Sequence, residues 1–311
     1  MRFQSIAMLT MLRMKIQKLK IFIVGISVVL TACTAAPPRE DRIASQLTAS
    51  KITVREVVFI HGMFVTPNSW DQWLPMFEKA GYKVSAPAWP LHDVPMARTK
   101  DAAHRLAIGK LGLEEVLSHY REILKTKTVK PVLVGHSMGG LIAQKLLQEG
   151  LAQSAVAIDS VAPNGMLFFS WSFLKSQWPV LNPFKDVATP VILTREEFAY
   201  AFANQQSDEM ISATFASQII PESRKVAKDT LTDAGVIDMT KPRGPLLIIA
   251  GEKDHIIPAA MNYKNFELYR NTPGYTEFRM FEGRDHWGIA GAGWEELAAA
   301  TLAWIEARQA Q

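Results

Sequence analysis

Hydrophobic positions along this chain follow two alternating periods. Val54 to Ile60 (VREVVFI) is an apolar, β-branched run ending at His61-Gly62, the pattern of a buried strand. Asn68-Ser69 can cap a helix whose apolar face uses Trp70, Trp73, Leu74 and Phe77 and which Gly81 closes. Tyr82 to Ala88 then reads as a second strand, Leu113 to Lys125 as a helix and Pro131 to Val134 as a third strand. That strand runs into Gly135-His136-Ser137-Met138-Gly139-Gly140, and Leu141 to Glu149 continues as a helix closed by Gly150. Ala155–Ile158, Leu246–Ala250 and Phe278–Phe281 are further strands, and Trp294 to Ala307 is a helical tail. Strands alternating with helices predict right-handed βαβ units. The expected class is α/β, a mostly parallel central sheet flanked by helices.

Residues 163–243 break the rhythm. They are rich in Met and aromatic residues (Met166, Phe168, Phe169, Trp171, Phe173, Trp178) and then helical in composition. A return from helix to strand needs only a few residues, so this segment is expected to be a helical lid at the carboxyl end of the sheet; further sheet-covering helices are the alternative. The aromatic and Met cluster suggests an apolar acyl pocket or, more simply, core packing.

The 311 residues carry a formal net charge of +4, but the excess is local. Arg2, Arg13, Lys15, Lys18 and Lys20 fall in the first 20 residues, and no acid precedes Glu40. The remaining 29 basic and 30 acidic side chains leave a body of net charge −1, which gives no electrostatic case for nucleic acid. The composition, 48% hydrophobic and 21% charged, excludes a disordered or collagen-like chain. Ile21 to Leu30 is apolar but shorter than the roughly 20 residues a membrane span needs. With its basic flank it reads as a secretory signal, whose start could be Met1, Met11 or Met14. The sequence then reaches Leu30-Thr31-Ala32-Cys33, which resembles the lipobox of bacterial lipoproteins. Cys33, the only cysteine, cannot form an internal disulfide, and the resemblance implies that it carries lipid. The expected organisation is a signal peptide over 1–32, a flexible tether over 33–53 and one domain over 54–311. An uncleaved signal anchor, or a chance cysteine after an ordinary signal, is the alternative. The implied location is the cell envelope, on the outer membrane facing the periplasm in a Gram-negative cell, since Thr34 rather than Asp follows the cysteine.

Gly135-His136-Ser137-Met138-Gly139 matches G-x-S-x-G between a predicted strand and a predicted helix. Such a turn leaves no room for side chains at the flanking positions, lifts the serine Oγ above the sheet and aims a helix N-terminus at developing negative charge. A serine hydroxyl is a weak nucleophile, so it needs a base, and the base needs an orienting acid, both downstream. Asp254 follows the Leu246–Ala250 strand and is the expected acid; His286 follows the last strand and is the expected base. Asp159, which also ends a strand, is the alternative acid. His136 is expected to brace the turn by hydrogen bonding, His255 to be structural or to sit at the rim, and His92, His104 and His119 to be surface or lid residues. The oxyanion of the tetrahedral intermediate needs two backbone N–H donors. Met138, next after the serine, and Met63, in the His61-Gly62-Met63-Phe64 loop, are the candidates.

These motifs, in this order, resemble the α/β-hydrolase superfamily over roughly residues 54–307. The stretches VVFIHGMFVTPNSWDQWLPMFEKAGYKVSAPAWP and LVGHSMGGLIAQ are most similar to its cofactor-free bacterial branch of esterases and haloperoxidase-like perhydrolases. The resemblance implies a sheet of about eight strands, a lid, and Ser137, Asp254 and His286 as triad; little sequence precedes Val54, so the first two strands are expected to be reduced or absent. It also implies hydrolysis of a small-molecule carboxylic ester through an acyl-enzyme. Serine at position 137 excludes the carboxylate-nucleophile chemistry of dehalogenases and epoxide hydrolases. No cofactor or metal is expected: H-E-x-x-H, paired cysteines, an acidic calcium loop and both glycine-rich nucleotide motifs are missing from the sequence. The competing expectations are a perhydrolase, a triad-bearing ligand-binding envelope lipoprotein with slow turnover, and a structural lipoprotein. Oligomeric state is not legible.

Overall fold

The structure, a computed structural model, describes residues 55–309. The predicted signal peptide and the whole predicted tether, Cys33 included, lie outside these residues.

Six strands form one sheet: β1 (Glu56–Ile60), β2 (Lys83–Ser85), β3 (Val132–His136), β4 (Ser154–Ile158), β5 (Leu246–Gly251) and β6 (Thr276–Phe281). Their spatial order is β2-β1-β3-β4-β5-β6 and every neighbouring pair is parallel. Among the described residues the sheet has six strands, against the about eight that the resemblance implies with its first two expected to be reduced or absent. Parallel strands require crossovers, and helices supply them: α1 (Trp73–Lys79), α2 (Ala102–Lys110), α3 (Leu113–Lys125), α4 (Met138–Gln148), then α5 (Trp171–Leu181), α6 (Arg195–Ala201), α7 (Asp208–Gln218) and α8 (Arg224–Asp229) between β4 and β5, and finally α9 (Ala259–Leu268) and α10 (Trp294–Gln309).

The continuous apolar runs of the strands reflect burial on both faces. Val58, Ile60, Leu133, Ala155, Ala157, Leu246 and Ile248 join one core. Their alternating neighbours Val57, Phe59, Val132, Val134, Val156, Ile158, Leu247 and Ile249 join the other. In the second core Phe59 meets Trp70 at 5.1 Å and Phe77 at 5.2 Å between ring centroids, so the aromatic face read from residues 70–77 packs against β1. That segment is divided: a short 3-10 turn, Pro67–Trp70, capped by Thr66, precedes α1. Helices α2 and α9 carry weak amphipathic patterns and were not expected from the sequence.

The insertion between β4 and β5 is helical, as the sequence predicts. Its aromatic cluster divides between two environments: Met166, Phe168 and Phe173 pack against the core, whereas Leu167, Phe169, Trp171 and Trp178 are exposed.

Candidate active site

Ser137 stands between β3 and α4 with φ 56° and ψ −119°. A non-glycine residue held in so sparsely populated a region costs about 1–3 kcal/mol, and hydrogen bonds on both sides enforce it. Its N–H donates to the Ile158 carbonyl at 2.9 Å, and its own carbonyl accepts from the N–H groups of Gly140 (3.0 Å) and Val161 (3.1 Å). The turn closes directly against β1: a Cβ on Gly139 would lie 2.2 Å from the Ile60 oxygen and 2.6 Å from the His61 oxygen. Only glycine permits that approach, which is the steric content of the motif.

The loop after β1 lies over the serine. A Cβ on Gly62 would stand 2.8 Å from Ser137 Cβ and 3.4 Å from Ser137 Oγ. Among the described residues, neither the Met63 nor the Met138 N–H donates to a backbone acceptor. The next residue, Phe64, has φ 67° and is held at both polar ends by the insertion. Its N–H donates to Glu222 Oε2 at 3.1 Å, and its carbonyl accepts from the Ile220 N–H at 2.9 Å.

Glu222 is fully buried and faces His92 Nε2 at 3.1 Å; its other oxygen accepts the Ser223 N–H at 2.6 Å. His92 Nδ1 donates to the Pro90 carbonyl at 3.0 Å, so both ring nitrogens act as donors and the pair is an imidazolium facing a carboxylate. Burial pushes His92 down, but the Glu222 charge and hydrogen bond, with the Pro90 carbonyl, outweigh it and hold the group above its ordinary value. His61, stacked on Trp89, is locked in one tautomer. Its Nε2 accepts the Trp89 N–H at 3.1 Å, so Nδ1 carries the proton and donates to the Gly62 carbonyl at 2.8 Å.

Asp254 and His286, 32 residues apart in sequence, meet through Asp254 Oδ2 and His286 Nδ1 at 2.6 Å, both buried. Asp254 Oδ1 accepts the N–H groups of Ile256 (2.7 Å) and Ile257 (2.8 Å), which fixes the carboxylate on the turn after β5. Burial raises Asp254 well above the ordinary carboxylate range; these two N–H groups oppose the rise and nearby Asp285 adds to it. Burial pushes the His286 imidazole down to about 3, so it rests neutral, with its proton in the contact with Asp254. Its Nε2 is buried with no hydrogen-bond partner. The Ser137–Nε2 hydrogen bond is therefore not formed in this structure; such bonds commonly tighten only when substrate is bound.

The His286 loop is held by the insertion too. Asp285 accepts the Gln205 N–H at 2.8 Å and the Gln206 side-chain amide at 3.0 Å, and the Trp287 N–H donates to the Phe202 carbonyl at 2.8 Å. His136 braces the same loop, its Nε2 donating to the His286 carbonyl at 2.9 Å.

Asp159 is buried beside this group with φ 44°. Its Oδ1 accepts the Gly251 N–H at 2.7 Å, while Oδ2 has no partner. Burial first, and then the Asp254 charge, push its carboxyl well above the ordinary range. One atom each from His136, Asp159 and His286 lie within 4.8 Å of one another, the only such metal-ligand set among the described residues. An ion there would compete with the His286–Asp254 contact or occupy Nε2, the nitrogen a base needs.

The structure thus joins the predicted acid to the predicted base and lays the predicted oxyanion loop against the predicted serine. Of the other histidines, His255 bonds the Tyr200 carbonyl at 2.8 Å and His119 the Ala88 carbonyl at 3.0 Å. His92 and His104 are buried and lie outside the insertion, contrary to the expectation of surface or lid positions. Sequence reasoning missed Glu222 and the buried His92 because no local pattern marks an ion pair whose members are 130 residues apart; a lone carboxylate in the apolar run Ile219-Ile220-Pro221 was the one available signal.

A sequence model described as the alpha/beta hydrolase family matches residues 57–300. No curated protein sequence matches. Among solved structures, tomato methylketone synthase I in complex with 2-tridecanone superposes with a TM-score of 0.62 at 17% identity, over 82% of this chain and 98% of the other. Polyneuridine aldehyde esterase gives 0.60 at 18% identity, over 81% and 99%. A monoacylglycerol lipase from Paleococcus ferrophilus gives 0.59 at 20% identity, over 81% and 94%. At these identities the likeness is one of fold.

Proposed function

Because this chain belongs to the alpha/beta hydrolase family, we propose that it is a serine hydrolase cleaving small carboxylic esters through an acyl-enzyme. His286 Nε2 takes the Ser137 hydroxyl proton as Oγ adds to the ester carbonyl, and the Met63 and Met138 N–H groups receive the oxyanion. The imidazolium returns its proton to the departing alcohol, leaving an ester on Ser137. Water, deprotonated by the same nitrogen, then releases the acid and restores the hydroxyl. Asp254 keeps the Nδ1 proton in place and stabilises the imidazolium as it forms. The helical insertion acts as a lid.

The observation that carries this proposal is the 2.6 Å contact between Asp254 Oδ2 and His286 Nδ1, with Nε2 left as a buried acceptor. Of the three solved structures named above, one is an esterase and one a lipase, which favours esters over other acyl compounds. Hydrolysis of short p-nitrophenyl esters by the wild type, beside a Ser137→Ala variant, is the test. Loss of turnover and of fluorophosphonate labelling in the variant is expected, and equal hydrolysis by both proteins overturns the assignment.

Cys33 is proposed as the lipid attachment site of an envelope lipoprotein, on the strength of the Leu30-Thr31-Ala32-Cys33 sequence. Incorporation of an alkyne fatty acid that disappears in Cys33→Ser is expected; labelling that survives the substitution removes the anchor.

A further inference from the structure

The first part of the insertion turns a continuous apolar face outward. From 166 to 169 the side chains alternate, Met166 and Phe168 packing on the core while Leu167 and Phe169 stand 77% and 76% exposed. Helix α5 continues the division. Phe173, Ser176 and Val180 point inward, while Trp171, Leu174, Trp178 and Leu181, at offsets of three, seven and ten, form one exposed stripe. Trp171 is 78% exposed, and Phe184, just past the helix, 88%. Isolated apolar side chains on a surface are ordinary, but a contiguous run of aromatics is not.

The charge pattern says what covers this face. From Ser160 to Lys185 the chain contains no acid, and its only charges are Lys175, whose Nζ lies 3.6 Å over the Tyr200 ring, and Lys185, which is followed by Asp186, a carboxylate that accepts the Ala188 N–H. We propose that this face seats in the interfacial layer of an anionic phospholipid bilayer, with Trp171, Trp178 and Phe184 among the acyl chains and the two lysines at the phosphates. Trp, Phe and Leu on one side of a short helix, with lysine beside them, suit the boundary between headgroups and acyl chains. No helix among the described residues is long and apolar enough to cross a membrane. With 11 residues α5 runs only about 16 Å, so it lies on the bilayer rather than spanning it. A second copy of the chain fits less well. A two-fold contact would set the patch against itself, bringing two copies of Lys175 and Lys185 together with one acid per chain, Asp186 at the edge, to offset them.

The position of the face adds a consequence. On the opposite, inward side of the helix Ser176 Oγ donates to the His255 carbonyl at 3.3 Å, one residue from Asp254, so α5 lies between the exposed stripe and the candidate site. Delivery of an acyl substrate out of the bilayer rests on the hydrolase proposal; membrane seating does not.

The test uses the mature chain, beginning at position 33 and carrying Cys33→Ala, so that neither covalent lipid nor the basic, apolar segment 1–32 contributes, and vesicles of phosphatidylethanolamine and phosphatidylglycerol. Adding Trp171→Ser, Trp178→Ser and Phe184→Ser is expected to lower the vesicle partition coefficient at least tenfold with the circular dichroism melt unchanged. In a second arm, brominated lipids are expected to quench Trp emission in the Cys33→Ala chain. Trp171→Phe with Trp178→Phe should remove that quenching while preserving most of the binding, a result that does not depend on the serine variant folding. Unchanged partitioning in the triple variant, quenching that persists without the two tryptophans, or a dimer that the triple variant dissociates with no change in vesicle binding, each overturns the proposal. Ester turnover is measured separately, so its loss or absence leaves the vesicle result standing.

Discussion

Glu222 Oε2 accepts the Phe64 N–H at 3.1 Å across 158 residues of sequence. One buried carboxylate therefore ties the insertion to the loop carrying the proposed oxyanion donor Met63, and the same oxygen faces His92.

Removing that carboxylate strands a buried imidazolium and releases Phe64 from its φ of 67°. Glu222→Ala is expected to lose about 3–5 kcal/mol of stability by urea unfolding and to lower kcat. Glu222→Gln, which keeps an acceptor for Phe64, should lose less of both. His92 is raised in the folded state, so its contribution is complete below the unfolded imidazole value and is lost as pH rises through the folded one. The stability gap between wild type and Glu222→Gln should narrow at alkaline pH; a gap that widens there contradicts the ion pair.

Two buried carboxylates compete for the role of orienting acid, and geometry separates them. Asp254 touches His286 Nδ1 at 2.6 Å, whereas the assigned bond of Asp159 is to the Gly251 N–H. Asp254→Asn is expected to lower kcat about 10⁴-fold, as a wrong tautomer does, and Asp159→Asn by about tenfold at most. Steady-state rates showing the reverse order would transfer the role to Asp159.

Gly62→Ala places a methyl 2.8 Å from Ser137 Cβ. The loop must retreat, and with it the Met63 N–H. A loss of about 10²–10³-fold in kcat, comparable to removal of one oxyanion donor, is expected with a small change in KM. Wild-type rates in Gly62→Ala would show that the loop takes no part in the reaction.

A base works only in its neutral form, and burial pushes His286 down to about 3. Activity is present above that value and lost as pH falls through it, so kcat/KM should hold its plateau to pH values well below the 6.5 of an ordinary imidazole. A pH–rate profile taken over the range in which circular dichroism is constant checks this, and an acid limb centred near 6.5 would contradict it.

What the sequence alone determined was whatever is encoded locally. Strands β1, β3, β4 and β5 appear as apolar runs because a parallel strand covered on both faces is built mostly of apolar residues. The serine turn appears because the 2.2 Å approach that a Gly139 Cβ would make excludes every side chain, and the helix Leu113–Lys125 because its apolar period is strong. The placement of Ser137, Asp254 and His286 could also be read, since each follows a strand at the same edge of the sheet. The tertiary structure decided what depends on partners distant in the chain. It set Asp254 rather than Asp159 against His286, buried His92 against Glu222, and sent Phe168 inward while Phe169 went outward. Composition is blind to these choices because a charge or an aromatic ring is stabilised by what packs against it, and those neighbours are fixed only when the insertion folds back over the sheet.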